Sequence, residues 1–129
     1  MRLFGSATAL LLTTTTAFAD CAHPETISGA DSAGTALSGV VYCYQVAARA
    51  GQQMTLSVTS ANRDVLLTVL APGWQATCSA EGDCDLDGEQ LSDDNTTSWS
   101  DSAPATGNYL VVIDNMLSDA DYELNVDIH

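Results

Sequence analysis

The chain has 129 residues and carries 17 acidic side chains against three lysines and arginines, which gives a formal net charge of −14 at pH 7. This balance excludes nucleic acid as a partner, because no cationic surface can displace counterions from phosphates, and it disfavours anionic membranes for the same reason. A basic protein or a divalent cation would instead be attracted. The alternative interpretation is that the acidity only keeps an exported protein soluble.

The N-terminal segment, residues 1–19, has the features of a secretory signal peptide. Arg2 precedes a short apolar run, and Ala17–Ala19 has the small-x-small pattern of a cleavage site. The apolar run is too short to span a bilayer. We therefore expect cleavage after Ala19, a single mature domain, and a periplasmic or secreted location. A lipoprotein signal ending at Cys21 is disfavoured, because Asp20 stands where a small residue is needed.

Four segments of the mature chain have the hydrophobic patterns of β-strands. Apolar and polar residues alternate at Met54–Val58 and at Tyr122–Ile128, which predicts strands with one buried and one solvated face. Val65–Leu70 and Tyr109–Ile113 are instead almost continuously apolar, which is typical of more deeply buried strands.

Two further strands complete the prediction. Val40–Ala47 is rich in β-branched and aromatic residues, and a shorter strand is expected around Trp99. Residues 62–64 are expected to form a turn. No segment has a helical period, so we predict an all-β fold over residues 20–129, an antiparallel β-sandwich or jelly roll.

Four cysteines in an exported chain predict disulfides, because the compartment is oxidising. Of the three possible pairings we favour Cys21–Cys43, which ties the N-terminus to a strand, and Cys78–Cys84, which closes a short loop. Zinc is the alternative interpretation. It is disfavoured because there is no C-x-x-C pair and because His23 and His129 lie near opposite ends of the mature chain.

The order of these segments resembles a known family. Residues 37–58 (LSGVVYCYQVAARAGQQMTLSV), 65–73 (VLLTVLAPG), 104–113 (PATGNYLVVI) and 120–128 (ADYELNVDI) are similar to the strands and turns of bacterial pre-peptidase C-terminal domains. The same pattern occurs in the periplasmic inhibitors of g-type lysozyme. The resemblance implies a β-sandwich that binds another molecule, but the matching residues are mostly core residues and identify no activity.

The resemblance also implies where a partner would bind. Lysozyme inhibitors place a loop in the cleft of a cationic enzyme, and related inhibitors use a Ser-Gly-x-x-Tyr loop. Thr106, Gly107, Asn108 and Tyr109 are similar, with threonine for serine and one spacer residue fewer. The alternative is that the glycine only forms a turn and the tyrosine begins a buried face. Trp74, at a Pro-Gly turn, is a further candidate anchor for a partner.

An acidic segment over residues 77–94 departs from the family pattern, and we interpret it as a disulfide-closed insertion. It contains the Asp-x-Asp-x-Asp-Gly spacing of a calcium loop, in which a twelfth residue and a backbone carbonyl complete the ligands. The candidate calcium ligands are Asp83, Asp85, Asp87, Glu89 and Asp94. No helix is predicted on either side, and the last ligand is an aspartate instead of glutamate. The alternative is an acidic loop that is only solvated.

Catalysis has no support in the sequence. There is no Gly-x-Ser-x-Gly motif, and four paired cysteines leave no free thiol. The leading hypothesis is therefore an exported, non-enzymatic protein-binding module, and its more specific form is an inhibitor of a cationic lysozyme. The alternative is a pre-peptidase C-terminal-like module that binds carbohydrate or stabilises a surface assembly, with a structural calcium site.

Overall fold

The computed structural model describes residues 21–27, 32–36, 40–61, 65–81, 83–115 and 119–129. The predicted signal peptide and the predicted turn at residues 62–64 lie outside these ranges. Within them the chain forms ten β-strands: β1 (Glu25–Ile27), β2 (Ser32–Ala36), β3 (Val41–Ala48), β4 (Gln53–Ser60), β5 (Val65–Leu70), β6 (Gln75–Cys78), β7 (Cys84–Asp87), β8 (Ser98–Ser102), β9 (Gly107–Asn115) and β10 (Ala120–Ile128). In this part of the chain, no helix has the length and apolar character needed to cross a membrane.

Eight of these strands form two four-stranded sheets. Sheet A has the order β8-β4-β10-β2, and sheet B has the order β1-β3-β9-β5. The two sheets share one core, because alternate residues of β4 and β10 point toward alternate residues of β3, β5 and β9. Strands β6 and β7 pair only with each other, as a separate hairpin. The all-β prediction is confirmed.

One pair of strands is parallel, which the predicted antiparallel sandwich did not include. β1 runs parallel to β3, with Glu25 opposite Tyr44 and Ile27 opposite Val46. Parallel neighbours need a crossover connection, which is usually a helix. Here the chain crosses through the other sheet instead, because β2 lies between β1 and β3 in sequence and pairs with β10 in sheet A.

The predicted disulfides are both confirmed, and each holds a segment that lies outside the main core. Cys21–Cys43 fixes the N-terminal segment to the outer face of β3. Cys78–Cys84 joins the strands of the β6–β7 hairpin directly opposite each other. Each bond limits the freedom of the unfolded chain and contributes about 2–4 kcal/mol to stability.

Sheet B is apolar on both faces, and this decides the position of the hairpin. Along β9, Tyr109, Val111 and Ile113 face the main core, while Leu110 and Val112 lie on the opposite, outer face. The outer face would be exposed without a cover. A second buried cluster forms there, against which side chains of the hairpin segment pack: Trp74, Cys84 and Leu86.

The main core contains a pair of buried tyrosine hydroxyls. Tyr44 from sheet B and Tyr122 from sheet A are hydrogen-bonded to each other through these hydroxyls. Both side chains are almost completely buried. Burial, followed by the bond to Tyr44, raises the pKa of the Tyr122 phenol well above its ordinary value. The pair therefore links the two sheets across the core.

We predict that the two hydroxyls depend on each other. Tyr44→Phe leaves the Tyr122 hydroxyl buried without this partner and should lower the free energy of unfolding by about 1–2 kcal/mol. The double change Tyr44→Phe with Tyr122→Phe should cost clearly less than the sum of the single changes. Urea unfolding of the four proteins measures this coupling, and additive losses would contradict it.

Candidate functional site

The predicted calcium loop begins as a strand instead of a loop. Asp85 and Asp87 lie in β7, opposite Thr77 and Gln75, and Asp83 immediately precedes this strand. Because a strand rises about 3.3 Å per residue, aspartates at every second position share one face but are spread along it. All three are exposed. The alternation that suggested metal ligands is therefore also the alternation of a half-exposed strand.

The other candidate calcium ligands are used within the protein. The backbone carbonyl of Glu89 accepts a hydrogen bond from the Ala71 amide at 2.9 Å. Asp94 Oδ1 accepts one from Gln90 Nε2 at 2.8 Å. Among the described residues, no three histidine, cysteine or acidic side chains are grouped to hold a metal ion. This arrangement does not fit the predicted calcium loop, and calcium binding remains a prediction without structural support.

The predicted partner-binding segment lies at one end of sheet B. Thr106 is exposed, and its Oγ1 accepts a hydrogen bond from the Ala50 amide at 2.9 Å. Gly107 pairs with Ala48 at the end of β3. These residues line a shallow hollow of about 250 Å³ together with Arg49 and Asn108. We call this region the Arg49 end, and it consists of Arg49, Trp74, Thr106, Gly107 and Asn108.

Trp74 belongs to the same surface, because its indole N–H donates a hydrogen bond to the Asn108 carbonyl at 3.0 Å. Its ring is half-buried against the outer cluster of sheet B. The turn before Trp74, which contains Pro72, packs closely against the same segment. A Cβ atom on Gly107 would lie only 2.8 Å from the Cβ of Pro72. The structure therefore brings Trp74 and residues 106–108 together. The sequence alone did not predict this contact.

The position of Tyr109 differs from the prediction that it forms part of the partner-binding segment. Its side chain is completely buried. Its hydroxyl donates a hydrogen bond to the Ala105 carbonyl at 2.5 Å and accepts one from the Ala105 amide at 3.1 Å. Tyr109 therefore holds the turn before β9 in place from inside the core, and it offers no surface to a partner. Tyr109 is buried because it alternates along β9 with Val111 and Ile113, which face the main core.

The hairpin leaves a second and larger hollow, which the sequence did not indicate. It lies between the hairpin and the opposite end of sheet B from the Arg49 end, and its volume is about 630 Å³. Apolar and acidic residues from both elements line it, including Val41, Leu86, Val112, Asp85 and Asp114. We call it the acidic groove.

Asp114 is the unusual residue of the acidic groove. It lies on the outer face of β9 between Val41 of β3 and Leu66 of β5. Its Oδ1 is buried and has no hydrogen-bond partner within the described part of the chain. Desolvation by burial raises the pKa of this carboxyl above its ordinary value of 3.8. At neutral pH the carboxylate is therefore held where the fold disfavours its charge.

Comparison with solved structures shows what this architecture is similar to. The periplasmic inhibitor of g-type lysozyme from Aeromonas hydrophila, PliG, aligns with 81% of this chain and 96% of its own, at 22% identity and a TM-score of 0.60. PliG from Salmonella Typhimurium aligns with 81% of this chain and 98% of its own, at 16% identity and a TM-score of 0.53. The chain has the fold of these inhibitors.

A third solved structure has the same fold in another context. The pre-peptidase C-terminal domain of a collagenase from Bacillus anthracis aligns with 80% of this chain and 93% of its own, at 15% identity and a TM-score of 0.51. No family model matches the chain, and no curated protein matches it significantly. The resemblance predicted from the strand pattern is thus confirmed at the level of the fold.

We predict that Gly107 is required by packing. Gly107→Ala should destabilise the protein by about 1–3 kcal/mol, because the added methyl group overlaps Pro72. Asn108→Ala is the matched control, since its side chain is exposed and the bond from Trp74 goes to its backbone. The control should stay within about 0.5 kcal/mol of the unsubstituted protein in urea unfolding. Equal stability of all three proteins would contradict the close approach.

We also predict that Asp114 reduces stability at neutral pH. Its raised folded-state pKa means that the folded protein holds this proton more tightly than the unfolded chain, so stability is lost as the pH rises through that pKa. Asp114→Asn should therefore raise the melting temperature at pH 7. The gain should disappear in acid, where the unsubstituted carboxyl is also neutral. A lower melting temperature for the variant at pH 7 would contradict this assignment.

Proposed function

We propose that this protein is an exported, non-enzymatic inhibitor of a lysozyme. The observation that carries the proposal is the fold, which matches PliG from Aeromonas hydrophila over 81% of this chain and nearly the whole of that inhibitor. The two PliG structures are described as periplasmic inhibitors of g-type lysozyme, so a g-type lysozyme is the first target to test. At this identity the fold alone does not select the type of lysozyme.

Charge and disulfides support the same proposal. A formal net charge of −14 attracts a cationic enzyme over long distances and increases the rate of encounter. Both disulfides belong in an oxidising compartment, as expected for a periplasmic or secreted protein that begins after Ala19. Lysozyme and inhibitor would then meet in the same compartment.

The Arg49 end is the surface that we propose contacts the enzyme. Trp74 is half-exposed and Asn108 is exposed, and the hydrogen bond between them fixes their relative position before binding. Thr106 is fixed in the same way by its bond to Ala50. A surface that is already ordered loses little conformational entropy on binding, which favours tight association. Arg49 adds a positive charge that can pair with a carboxylate of the enzyme.

The pre-peptidase C-terminal fold supports a second candidate function. The domain from the Bacillus anthracis collagenase shares the sandwich at a TM-score of 0.51, so a carbohydrate-binding or surface-assembly module is compatible with the same fold. In that case the half-exposed ring of Trp74 would stack on a sugar. This candidate predicts a change in tryptophan fluorescence with glycans and no inhibition of lysozyme.

Inhibition of purified lysozymes tests the proposal. The oxidised protein should inhibit one class among g-, c- and i-type lysozymes stoichiometrically in a cell-wall lysis assay. The association rate should fall as salt increases, because salt screens the attraction between opposite charges. Failure to inhibit any class at micromolar excess would overturn the proposal and favour the carbohydrate-binding candidate.

A pair of asparagine variants tests the proposed surface. Asn108→Ala removes an exposed side chain from the Arg49 end and should weaken inhibition at least about tenfold if this surface enters the enzyme. Asn125→Ala changes the same residue type on the outer face of sheet A, opposite Ser57, and should have no effect. Equal effects of the two variants would place the interface elsewhere.

A further inference from the structure

The acidic groove combines apolar side chains with carboxylates, and its floor is formed by sheet B. Val41 and Asp114 are direct neighbours across β3 and β9, and Val112 follows along the same outer face. The wall opposite this floor is the hairpin, of which Leu86 packs against the outer cluster. The floor and the opposite wall of the groove are therefore built mainly from strands, and Val40 and Asp83 just outside them complete the lining.

The mouth of the groove carries the largest exposed apolar side chains of the described residues. Val40 and Val41 are 40% and 44% exposed, and both line the groove. Exposed valines in isolation are ordinary on a protein surface. Here they line the same groove as the buried Val112, so both the mouth and the floor of the groove carry apolar side chains.

The polar part of the lining is strongly acidic. Asp83, Asp85 and Asp114 all line the groove, and the described lining contains no lysine, arginine or histidine. Asp114 Oδ1 is buried without a hydrogen-bond partner in the described chain. Burying a carboxylate without a partner reduces stability, and such a cost is typical of groups that are kept for binding. Oδ1 itself is closed to solvent, so a ligand in the groove would pair with the partly exposed remainder of this carboxylate, and the surrounding charge favours a cation.

We propose that the acidic groove binds the side chain of an arginine or lysine presented by a partner protein. The alkyl stem would lie along Val41 and Val112, and the charged head would donate hydrogen bonds to Asp114. Asp83 and Asp85, which are exposed, would add attraction at the edge of the groove.

The shape of the groove selects this ligand over other cations. A metal ion needs several oxygen ligands close together, and no such group exists among the described residues. A basic side chain needs only one close carboxylate for its head, with apolar surface for its stem. A guanidinium also carries five donors in one plane, so it can donate more than one hydrogen bond to the Asp114 carboxylate.

This groove and the Arg49 end lie at opposite ends of the outer face of sheet B. A cationic enzyme seated on that face would contact both ends. Its carboxylates would face the Arg49 end, and its basic side chains would face the acidic groove. The identity of the partner therefore rests on the proposed function. The chemistry of the groove does not, because small cations test it without any enzyme.

Titration with two monovalent cations tests the groove directly. Butylguanidinium should shift the amide resonances of β7 and of the C-terminal half of β9 in isotope-labelled protein. It should bind about tenfold more tightly than guanidinium, because its alkyl chain is removed from water. Asp114→Asn should weaken butylguanidinium binding about fivefold, the upper end for a partly exposed ion pair.

Two control variants make the outcome specific. Asp101→Asn removes an exposed carboxylate from β8 in sheet A and should leave the binding of both cations unchanged. Val41→Ser should reduce the preference for the alkylated cation while keeping the carboxylate. Resonance shifts spread over the whole protein, equal affinities for the two cations, or no effect of Asp114→Asn would each overturn the proposal.

The same variants separate this inference from the proposed function. If Asp114→Asn weakens lysozyme inhibition and Asp101→Asn does not, the groove holds a basic side chain of the enzyme. If the unsubstituted protein inhibits no lysozyme but binds butylguanidinium in the groove, the proposed function is overturned and the groove proposal is supported. If it inhibits a lysozyme but Asp114→Asn changes neither inhibition nor cation binding, the groove proposal is overturned alone.

Discussion

Burial of both faces of sheet B is the constraint on which the rest of the structure depends. The continuous apolar runs of β5 and β9 place large side chains on both sides of the sheet, and only one side can face sheet A. At about 25 cal/mol per Å² of apolar surface, leaving Leu70, Leu110 and Val112 exposed would cost several kcal/mol. The hairpin of β6 and β7 covers them, and the Cys78–Cys84 disulfide keeps this small two-stranded element in one shape.

The hairpin covers only the middle of that face, and the two uncovered ends differ in chemistry. At one end Arg49 lies beside the turn at residues 106–108. Hydrogen bonds donated by Ala50 and Trp74 hold this turn in place. At the other end, carboxylates and valines line a groove of about 630 Å³. The outer face of sheet A, in contrast, is a plain polar surface with pairs such as Thr55 and Ser100 bonded to each other. Both proposed binding surfaces therefore result from one covering element that is shorter than the sheet beneath it.

The sequence predicted the parts of the fold in which hydrophobic patterning is strong. The alternation in β4 and β10 and the apolar runs of β5 and β9 placed these strands within one or two residues. It did not predict β1, β2, β6 or β7, because these strands are short and carry little apolar patterning. β1 and β2 also pair with strands that do not follow them directly in sequence. The aspartates at 83, 85 and 87 illustrate the ambiguity, since a period of two suits metal ligands and a strand equally. Asp114 could not be recognised at all, because its environment exists only when β3, β9 and the hairpin come together.

Amide hydrogen exchange of the protein, alone and in complex with the lysozyme that it inhibits, tests most directly whether the outer face of sheet B is the binding surface. We expect the complex to slow exchange at both uncovered ends of this face, around Asn108 and around Asp85 and Asp114. The amides of β8 and β4 in sheet A should exchange as in the free protein. Protection confined to sheet A, with both ends of sheet B unchanged, would contradict the assignment.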